Sequence, residues 1–358
     1  MKVAIVNDSR TAAEVLRRIL AELPEFELIW TAYSGEEALR LAADKRPEII
    51  LMDLIMPGID GAETTRRIMQ TTPCVILVVT ATTVGNRSLV FEAMGYGALD
   101  AVNTPVMGTA GDMAGAEPLL QKLRMVARLV GPGRHTDRPS SPAGAQAGLI
   151  SRITPPSNLA IVAIGSSTGG PQALAQLLGA LPGNFPAAVL VAQHVDEQFA
   201  PGLAAWLQHH APMPVSIGVD GERLVAGHVY LAGSNDHMIL ERSGEGGVLR
   251  YTPHPRETAY RPSVDALFSS LAHSHRAPRV GVLLTGMGRD GGEGLLAMRQ
   301  AGAYTIAQDK ATSIVYGMPK AAADLKAAME ILPLGQIGAR VRDAILAGKV
   351  RTADPLRG

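Results

Sequence analysis

Ala160-Ile161-Val162-Ala163-Ile164-Gly165-Ser166-Ser167-Thr168-Gly169-Gly170-Pro171 is the stretch on which the fold turns. An unbroken apolar run gives way to a Ser/Gly turn, and an amphipathic pattern continues through Leu178. A run without polar alternation predicts a strand buried on both faces, as in a parallel sheet covered by helices. The same unit recurs on the C-terminal side, where Ala188 to Val191 ends at Gln193-His194 and Val280 to Leu284 ends at Thr285-Gly286-Met287-Gly288. It recurs on the N-terminal side as well. Val3 to Val6 precedes Ala12 to Leu23, Ile49 to Met52 precedes Ala62 to Met69, and Val75 to Val79 precedes Leu89 to Met94. Alternating βα units of this kind predict doubly wound α/β architecture throughout.

The grammar breaks once. From Gly131 to Asn158 the chain turns to Gly, Pro and Ser, as in Arg138-Pro139-Ser140-Ser141-Pro142 and Thr154-Pro155-Pro156-Ser157, the composition of a flexible linker. The expected organisation is therefore a first α/β domain over residues 1–125, a linker over 126–157, and a second α/β domain with a parallel sheet over 158–350. Within the second domain, Val229 to Ser234 and Val248 to Tyr251 flank the Gly-rich stretch Ser243 to Gly247 and predict a β-hairpin insertion.

Composition excludes several classes of function. The 33 basic and 33 acidic residues balance, and no Lys/Arg-dense helical face occurs in the second half, so a nucleic-acid partner is not expected. The apolar run at Val3 to Val6 is too short for a signal peptide or a membrane span, which predicts a cytoplasmic protein without membrane insertion. Cys74 is the single cysteine, which rules out an intramolecular disulfide and fits a reducing compartment.

In open α/β sheets the residues just past the strands line the ligand crevice. In the first domain those residues are Asp8, Asp53 and Thr80. Two carboxylates brought to one sheet edge repel each other unless a hard cation lies between them, and oxygen ligands suit Mg²⁺. One carboxylate can then attack a phosphoryl donor. The same acids could instead serve only as helix caps.

In the second domain, Gly165-Ser166-Ser167-Thr168-Gly169 admits three readings: a phosphate-cradling turn, a helix cap, or a G-x-S-x-G turn that exposes Ser167 as a nucleophile. Neither G-x-G-x-x-G nor a P-loop lysine is present, which weighs against a nucleotide. A nucleophilic serine needs a base and an orienting acid. Of nine histidines, His194 directly follows an apolar run; His135 falls in the linker, His209 and His210 end a predicted helix, and His273 and His275 flank a loop. Asp290, just beyond Leu284, can supply the acid. The order Ser, His, Asp differs from that of α/β-hydrolases, where the acid precedes the histidine.

Leu51-Met52-Asp53-Leu54-Ile55-Met56-Pro57-Gly58-Ile59-Asp60-Gly61 resembles the acceptor motif of response-regulator receiver domains. That resemblance implies Asp53 as phosphoacceptor, Asp8 and Asp53 as Mg²⁺ ligands, and Thr80 as the hydroxyl that follows the phosphoryl group. Two positions depart from the pattern. Asn7 stands where receivers carry a second acid, and Thr104 stands before Pro105 where they carry a lysine. A missing ammonium removes a charge-assisted bond of about 1.5 to 3 kcal/mol, so an altered switch is expected.

Ile164 to Pro171, Gln193-His194, Arg261-Pro262-Ser263-Val264-Asp265, Leu284 to Gly291 and Gly317-Met318-Pro319 resemble the catalytic domain of chemotaxis protein-glutamate methylesterases. The resemblance spans both domains and the linker. It implies Ser167 as nucleophile, His194 as general base, Asp290 as orienter and the Met287 backbone N–H as an oxyanion donor, with no cofactor for the ester hydrolysis. It further implies methyl-accepting chemoreceptors as substrates, deamidation of receptor glutamines as a second activity, a chemotaxis-type histidine kinase as phosphodonor, and a receiver that covers the catalytic face. Val6-Asn7-Asp8, Leu51 to Pro57 and Asn103-Thr104-Pro105 resemble methylesterases of Wsp-type surface-sensing systems more than flagellar ones. The alternative is a catalytically silent signalling adaptor. Incubation with a small phosphodonor and Mg²⁺ is expected to add a phosphoryl mass at Asp53, and an unchanged mass there removes the acceptor assignment.

Overall fold

A computed structural model describes residues 1–81, 87–107, 113–130, 159–243, 246–256, 258, 260–274 and 279–346, and separates into two units at residue 143. In the first unit, chain order is β1 (Lys2–Val6), α1 (Arg10–Ala21), β2 (Glu27–Ala32), α2 (Gly35–Asp44), β3 (Ile49–Met52), α3 (Gly61–Thr71), β4 (Val75–Thr80), α4 (Arg87–Gly95) and β5 (Asp100–Asn103). A short antiparallel pair, β6 (Val106–Met107) with β7 (Met113–Ala114), and α5 (Ala116–Val130) complete it. The five main strands lie parallel in the order β2-β1-β3-β4-β5. Val3 to Val6, Ile49 to Met52 and Ile76 to Val79 are fully buried, which is why they read as unbroken apolar runs. Ser9, Ser34 and Asp60 start α1, α2 and α3 by accepting the N–H groups of Ala12, Glu37 and Glu63. Cys74 immediately precedes β4 and is half-buried, and burial pushes its thiol up to about 12, the behaviour of a packing residue.

In the second unit the order is β8 (Ala160–Ser166), α6 (Gly170–Gly179), β9 (Ala187–Gln193), α7 (Ala200–Gln208), β10 (Val215–Ile217), β11 (His228–Leu231), β12 (His237–Ser243), β13 (Gly246–Thr252) and α8 (Val264–Ser274). Then follow β14 (Arg279–Leu283), α9 (Gly292–Gln300), β15 (Tyr304–Gln308), α10 (Met318–Asp324), β16 (Glu330–Leu332) and α11 (Leu334–Leu346). Seven strands form one parallel sheet, β10-β11-β9-β8-β14-β15-β16, and β12 with β13 forms a separate antiparallel hairpin. The α/β architecture expected of both halves is the one observed.

One arm of the expected hairpin is corrected. Val229 to Leu231 belongs to β11 and pairs in parallel with β9 and β10; the partner of β13 is β12. Val229, Tyr230 and Leu231 are all buried, as an internal parallel strand demands. In β12 the buried Met238 and Leu240 flank the partly exposed Ile239, and this period-two pattern was the true hairpin signal. Helix α5 runs to Val130, past residue 125 where the sequence ends the first domain. The rest of the expected linker, residues 131–157 with His135, lies outside the described residues, as do His275 and part of the Gly-rich turn at 244–245. No helix among the described residues is long and apolar enough to cross a membrane.

Arg279 opens β14 and ties three elements together. Its buried guanidinium donates to Leu271 O at 2.8 Å, Ala272 O at 3.2 Å and Ala301 O at 2.6 Å, satisfying carbonyls near the ends of α8 and α9. Arg279→Met keeps most of the buried length but leaves those carbonyls without a donor. It is expected to lower unfolding free energy by about 1.5 to 3 kcal/mol, measured by chemical denaturation; an unchanged midpoint removes this role.

Candidate active site

β9, β8 and β14 are adjacent in the second sheet, so residues just beyond them meet at one edge. Ser167 follows β8, and its N–H donates to Thr285 O, just past β14, at 3.1 Å. His194 follows β9, and its N–H donates to Ser166 O at 3.0 Å. Buried Gln193 locks the two strand ends together. Its Oε1 accepts Ser166 Oγ at 2.6 Å, and its Nε2 donates to Ser167 O at 2.9 Å and His194 O at 3.2 Å. The positions of Ser167 and His194 are therefore set by backbone and amide contacts that leave the reactive side-chain atoms uninvolved.

His194 and Asp290 meet directly. Nε2 of the imidazole lies 2.7 Å from Asp290 Oδ2, with both side chains more than nine-tenths buried. Asp290 accepts three further hydrogen bonds: Ser263 Oγ at 2.9 Å, Val264 N at 2.7 Å and Asp265 N at 3.0 Å. Val264 and Asp265 are the first residues of α8, so the carboxylate caps that helix across 25 residues of intervening chain. α9 begins two residues after Asp290 with Gly291 at its N-cap, which has no side chain to offer, and its first turn is met from α8 instead, by Asp265. Burial alone would raise the pKa of Asp290, but the hydrogen bond and charge of His194 and the helix N–H groups hold it down at about 2. Asp290 is thus an anion throughout the neutral range.

With Nε2 engaged, the imidazole presents Nδ1 for chemistry. Nδ1 is buried and has no hydrogen-bond partner among the described residues. The Ser167 hydroxyl stands on the neighbouring strand end and does not hydrogen-bond to the imidazole here. Such bonds are often long before substrate enters. Gly286-Met287-Gly288 follows β14 and closes over the same edge. A Cβ at Gly286 would lie 2.8 Å from Ser167 Cβ and 2.2 Å from Met318 Sδ, so only glycine lets this turn come so close. The turn is fixed through Gly286 O, which accepts Gly317 N at 3.1 Å and Met318 N at 2.9 Å. No acceptor among the described residues takes the Met287 N–H.

Two residues of the site were not singled out by sequence. Asp265 accepts Gly294 N at 2.6 Å, and its pKa is pushed up to about 6 by burial, with the charge of Asp290 adding to the effect. Tyr260 stacks on His194 with ring centroids 4.4 Å apart. Ser263 and Asp265 fall inside the Arg261 to Asp265 motif, but only the folded chain brings them to Asp290.

The first unit carries the other cluster. Asp8 and Asp53 lie just beyond β1 and β3, the two strands at which the sheet order reverses. Asp53 Oδ1 accepts Leu54 N at 2.7 Å and Ile55 N at 3.4 Å. Burial raises its pKa, and the charge of Asp8 raises it further. The Thr80 hydroxyl is near enough to hold the carboxylate down somewhat, yet it lies outside hydrogen-bonding geometry and has no partner among the described residues. Asn7 is buried and its Oδ1 accepts Ser9 N at 2.9 Å, so the residue in place of the second acid is committed to the loop after β1.

A strand-end Ser/His/Asp set in one unit and a strand-end acid pair in the other define a hydrolase joined to a receiver. The profile of the CheB methylesterase family matches residues 162–341, and that of the response regulator receiver domain matches residues 3–110. The chain belongs to the CheB methylesterase family. It is 52% identical to protein-glutamate methylesterase/protein-glutamine glutaminase 1 of Cupriavidus pinatubonensis, over 96% of this chain and 97% of that protein. It is 48% identical to the Pseudomonas aeruginosa protein of that name numbered 3, over 96% and 99%. The crystal structure of the Thermotoga maritima CheB methylesterase catalytic domain is similar at 34% identity and a TM-score of 0.50, covering 51% of this chain and 97% of that one.

Because the folded chain favours protonated Asp265, the unfolded chain releases that proton first, near pH ~4. Stability is then lost as pH rises toward about 6. Asp265→Asn is expected to abolish this slope. Denaturant midpoints taken between about pH 4 and about pH 7 test it, and parallel curves for the two proteins reject it.

Proposed function

We propose that the chain hydrolyses γ-glutamyl methyl esters on methyl-accepting chemoreceptors, releasing methanol, and deamidates receptor glutamines by the same acyl transfer. The observation that carries this reading is the imidazole held at Nε2 by Asp290 while a buried Nδ1, without a partner among the described residues, remains at the strand edge of Ser167. A binding-only adaptor has no need of a carboxylate kept ionised against a histidine.

In this reading, Nδ1 of His194 takes the Ser167 proton as Oγ bonds to the ester carbonyl carbon. The oxyanion develops against the Met287 N–H, a donor of a kind worth about 2.7 to 4 kcal/mol. His194 returns the proton to the departing methoxide, so methanol leaves. Water, deprotonated by the same nitrogen, then attacks the glutamyl-Ser167 ester; His194 passes that proton to Ser167 Oγ as the acyl–oxygen bond breaks, which frees glutamate and restores the serine. For a glutamine side chain, ammonia departs in place of methanol. Asp290 stays ionised, fixes the tautomer with hydrogen on Nε2, and stabilises the imidazolium. Serine proteases present the opposite ring nitrogens to acid and serine; the division of labour is the same.

Residues 158–350 would be the catalytic domain, 126–157 the linker and 1–125 a cytoplasmic receiver that takes a phosphoryl group at Asp53 from a chemotaxis-type histidine kinase. Asp8 and Asp53 fit a Mg²⁺ ion: two converging carboxylates, one with a pKa raised by burial and by the charge of the other, with water able to fill the remaining positions. When bound, the cation neutralises charge between acceptor and incoming phosphoryl group. Thr80 would follow that group. Asn7 and Thr104 alter the switch and support kinship with surface-sensing pathways.

Methanol release from methylated receptor is expected to vanish in Ser167→Ala and to fall by about four orders of magnitude in Asp290→Asn. Wild-type turnover by Ser167→Ala rejects the mechanism. Asp53→Ala is expected to remove the response to phosphodonor and Mg²⁺, and an undiminished response rejects regulation through Asp53.

A further inference from the structure

We propose that Tyr260 is a positioning residue for the general base, fixing the plane of the His194 imidazole so that Nδ1 is held toward Ser167. This inference rests on the Ser167, His194 and Asp290 reading above. The two rings are stacked, with centroids 4.4 Å apart and planes inclined by 2°. Asp290 holds the imidazole at Nε2 only. One hydrogen bond fixes the place of one nitrogen but leaves the ring torsion about Cβ–Cγ soft, and for histidine that torsion has broad wells. Rotation about this axis swings Nδ1 farther than Nε2, because Nδ1 lies farther from the axis. The nitrogen that must meet the serine is therefore the one Asp290 controls least. A parallel aromatic face resists that rotation directly.

Tyr260 is itself seated from two directions. Its hydroxyl lies against Gly288, where a Cβ would fall 2.4 Å from the phenolic oxygen; Gly288, at φ +86, gives the phenol its place beside the turn that carries Met287. The segment bearing Tyr260 is pinned by His237, which is fully buried. His237 Nδ1 accepts Ser263 N at 3.0 Å, so Nε2 carries the hydrogen and donates to Pro255 O at 3.0 Å. The tyrosine thus spans from the base to the oxyanion turn. An imidazolium over its ring face also gains a cation–π attraction that neutral imidazole lacks, so the contact strengthens as the proton moves.

The test compares initial rates of methanol release from methylated receptor by the full chain in wild type, Tyr260→Phe, Tyr260→Leu and Ser167→Ala, with melting temperatures measured alongside. Tyr260→Phe is expected to keep kcat within about threefold, and Tyr260→Leu to lower kcat by about ten- to a hundredfold with KM within about twofold. Tyr260→Met serves as the non-aromatic variant if the Leu chain melts lower. A non-aromatic variant with undiminished kcat, a Phe variant as impaired as the Leu one, or a loss confined to KM overturns the assignment. Turnover surviving in Ser167→Ala removes the triad reading itself, whereas its loss beside a fully active Tyr260→Leu removes only the role of Tyr260.

Discussion

The second unit is organised around a buried carboxylate that accepts four hydrogen bonds from two separate parts of the chain. Asp290 receives the imidazole from the end of β9, the Ser263 hydroxyl, and the first N–H groups of α8. A buried anion is tolerable only when its lone pairs are met in this way. The requirement fixes where α8 begins, how the segment before it returns to the sheet edge, and which nitrogen of His194 stays open. Capping α8 and holding the His194 imidazole fall to one carboxylate here.

The first unit is also a parallel sheet with polar residues past its strand ends, held by fewer contacts. Its sheet reverses order between β1 and β3, and the two acids lie beyond those strands. Asp53 has two backbone donors on one oxygen, and among the described residues no side chain hydrogen-bonds it to a distant element as Asp290 is tied. Replacing a second acid with Asn7 lowers the local negative charge, and the amide is taken up by the loop. In the proposed function the looser site is the one that must respond to a phosphoryl group, and the tighter one holds a base that must stay in place between turnovers.

Much of this was legible in the sequence because buried parallel strands announce themselves. Unbroken apolar runs located β1, β3, β4, β8, β9 and β14, and the polar residues directly after them include Asp8, Ser167 and His194. Elsewhere that signal is ambiguous. Val229 to Leu231 is as apolar as any internal strand and belongs to the sheet, yet a glycine-rich turn downstream suggested a hairpin arm. The partners of Asp290 were hidden for another reason: backbone N–H groups carry no residue-type signature, and Val264 would serve as any residue would. Tyr260 stacks on His194 across 66 positions, a contact that no local pattern encodes.

A carboxylate that remains ionised at every physiological pH also bears on how the reaction ends. In the proposed chemistry the reactant is a neutral ester and the product an anion, so each turnover creates a negative charge beside one that is permanently present. The neutral ester enters without electrostatic penalty, while the newly made glutamate is repelled as soon as His194 returns to its neutral form. Expulsion of the product, and reluctance to rebind it, would then be built into the same oxygen atoms that orient the base.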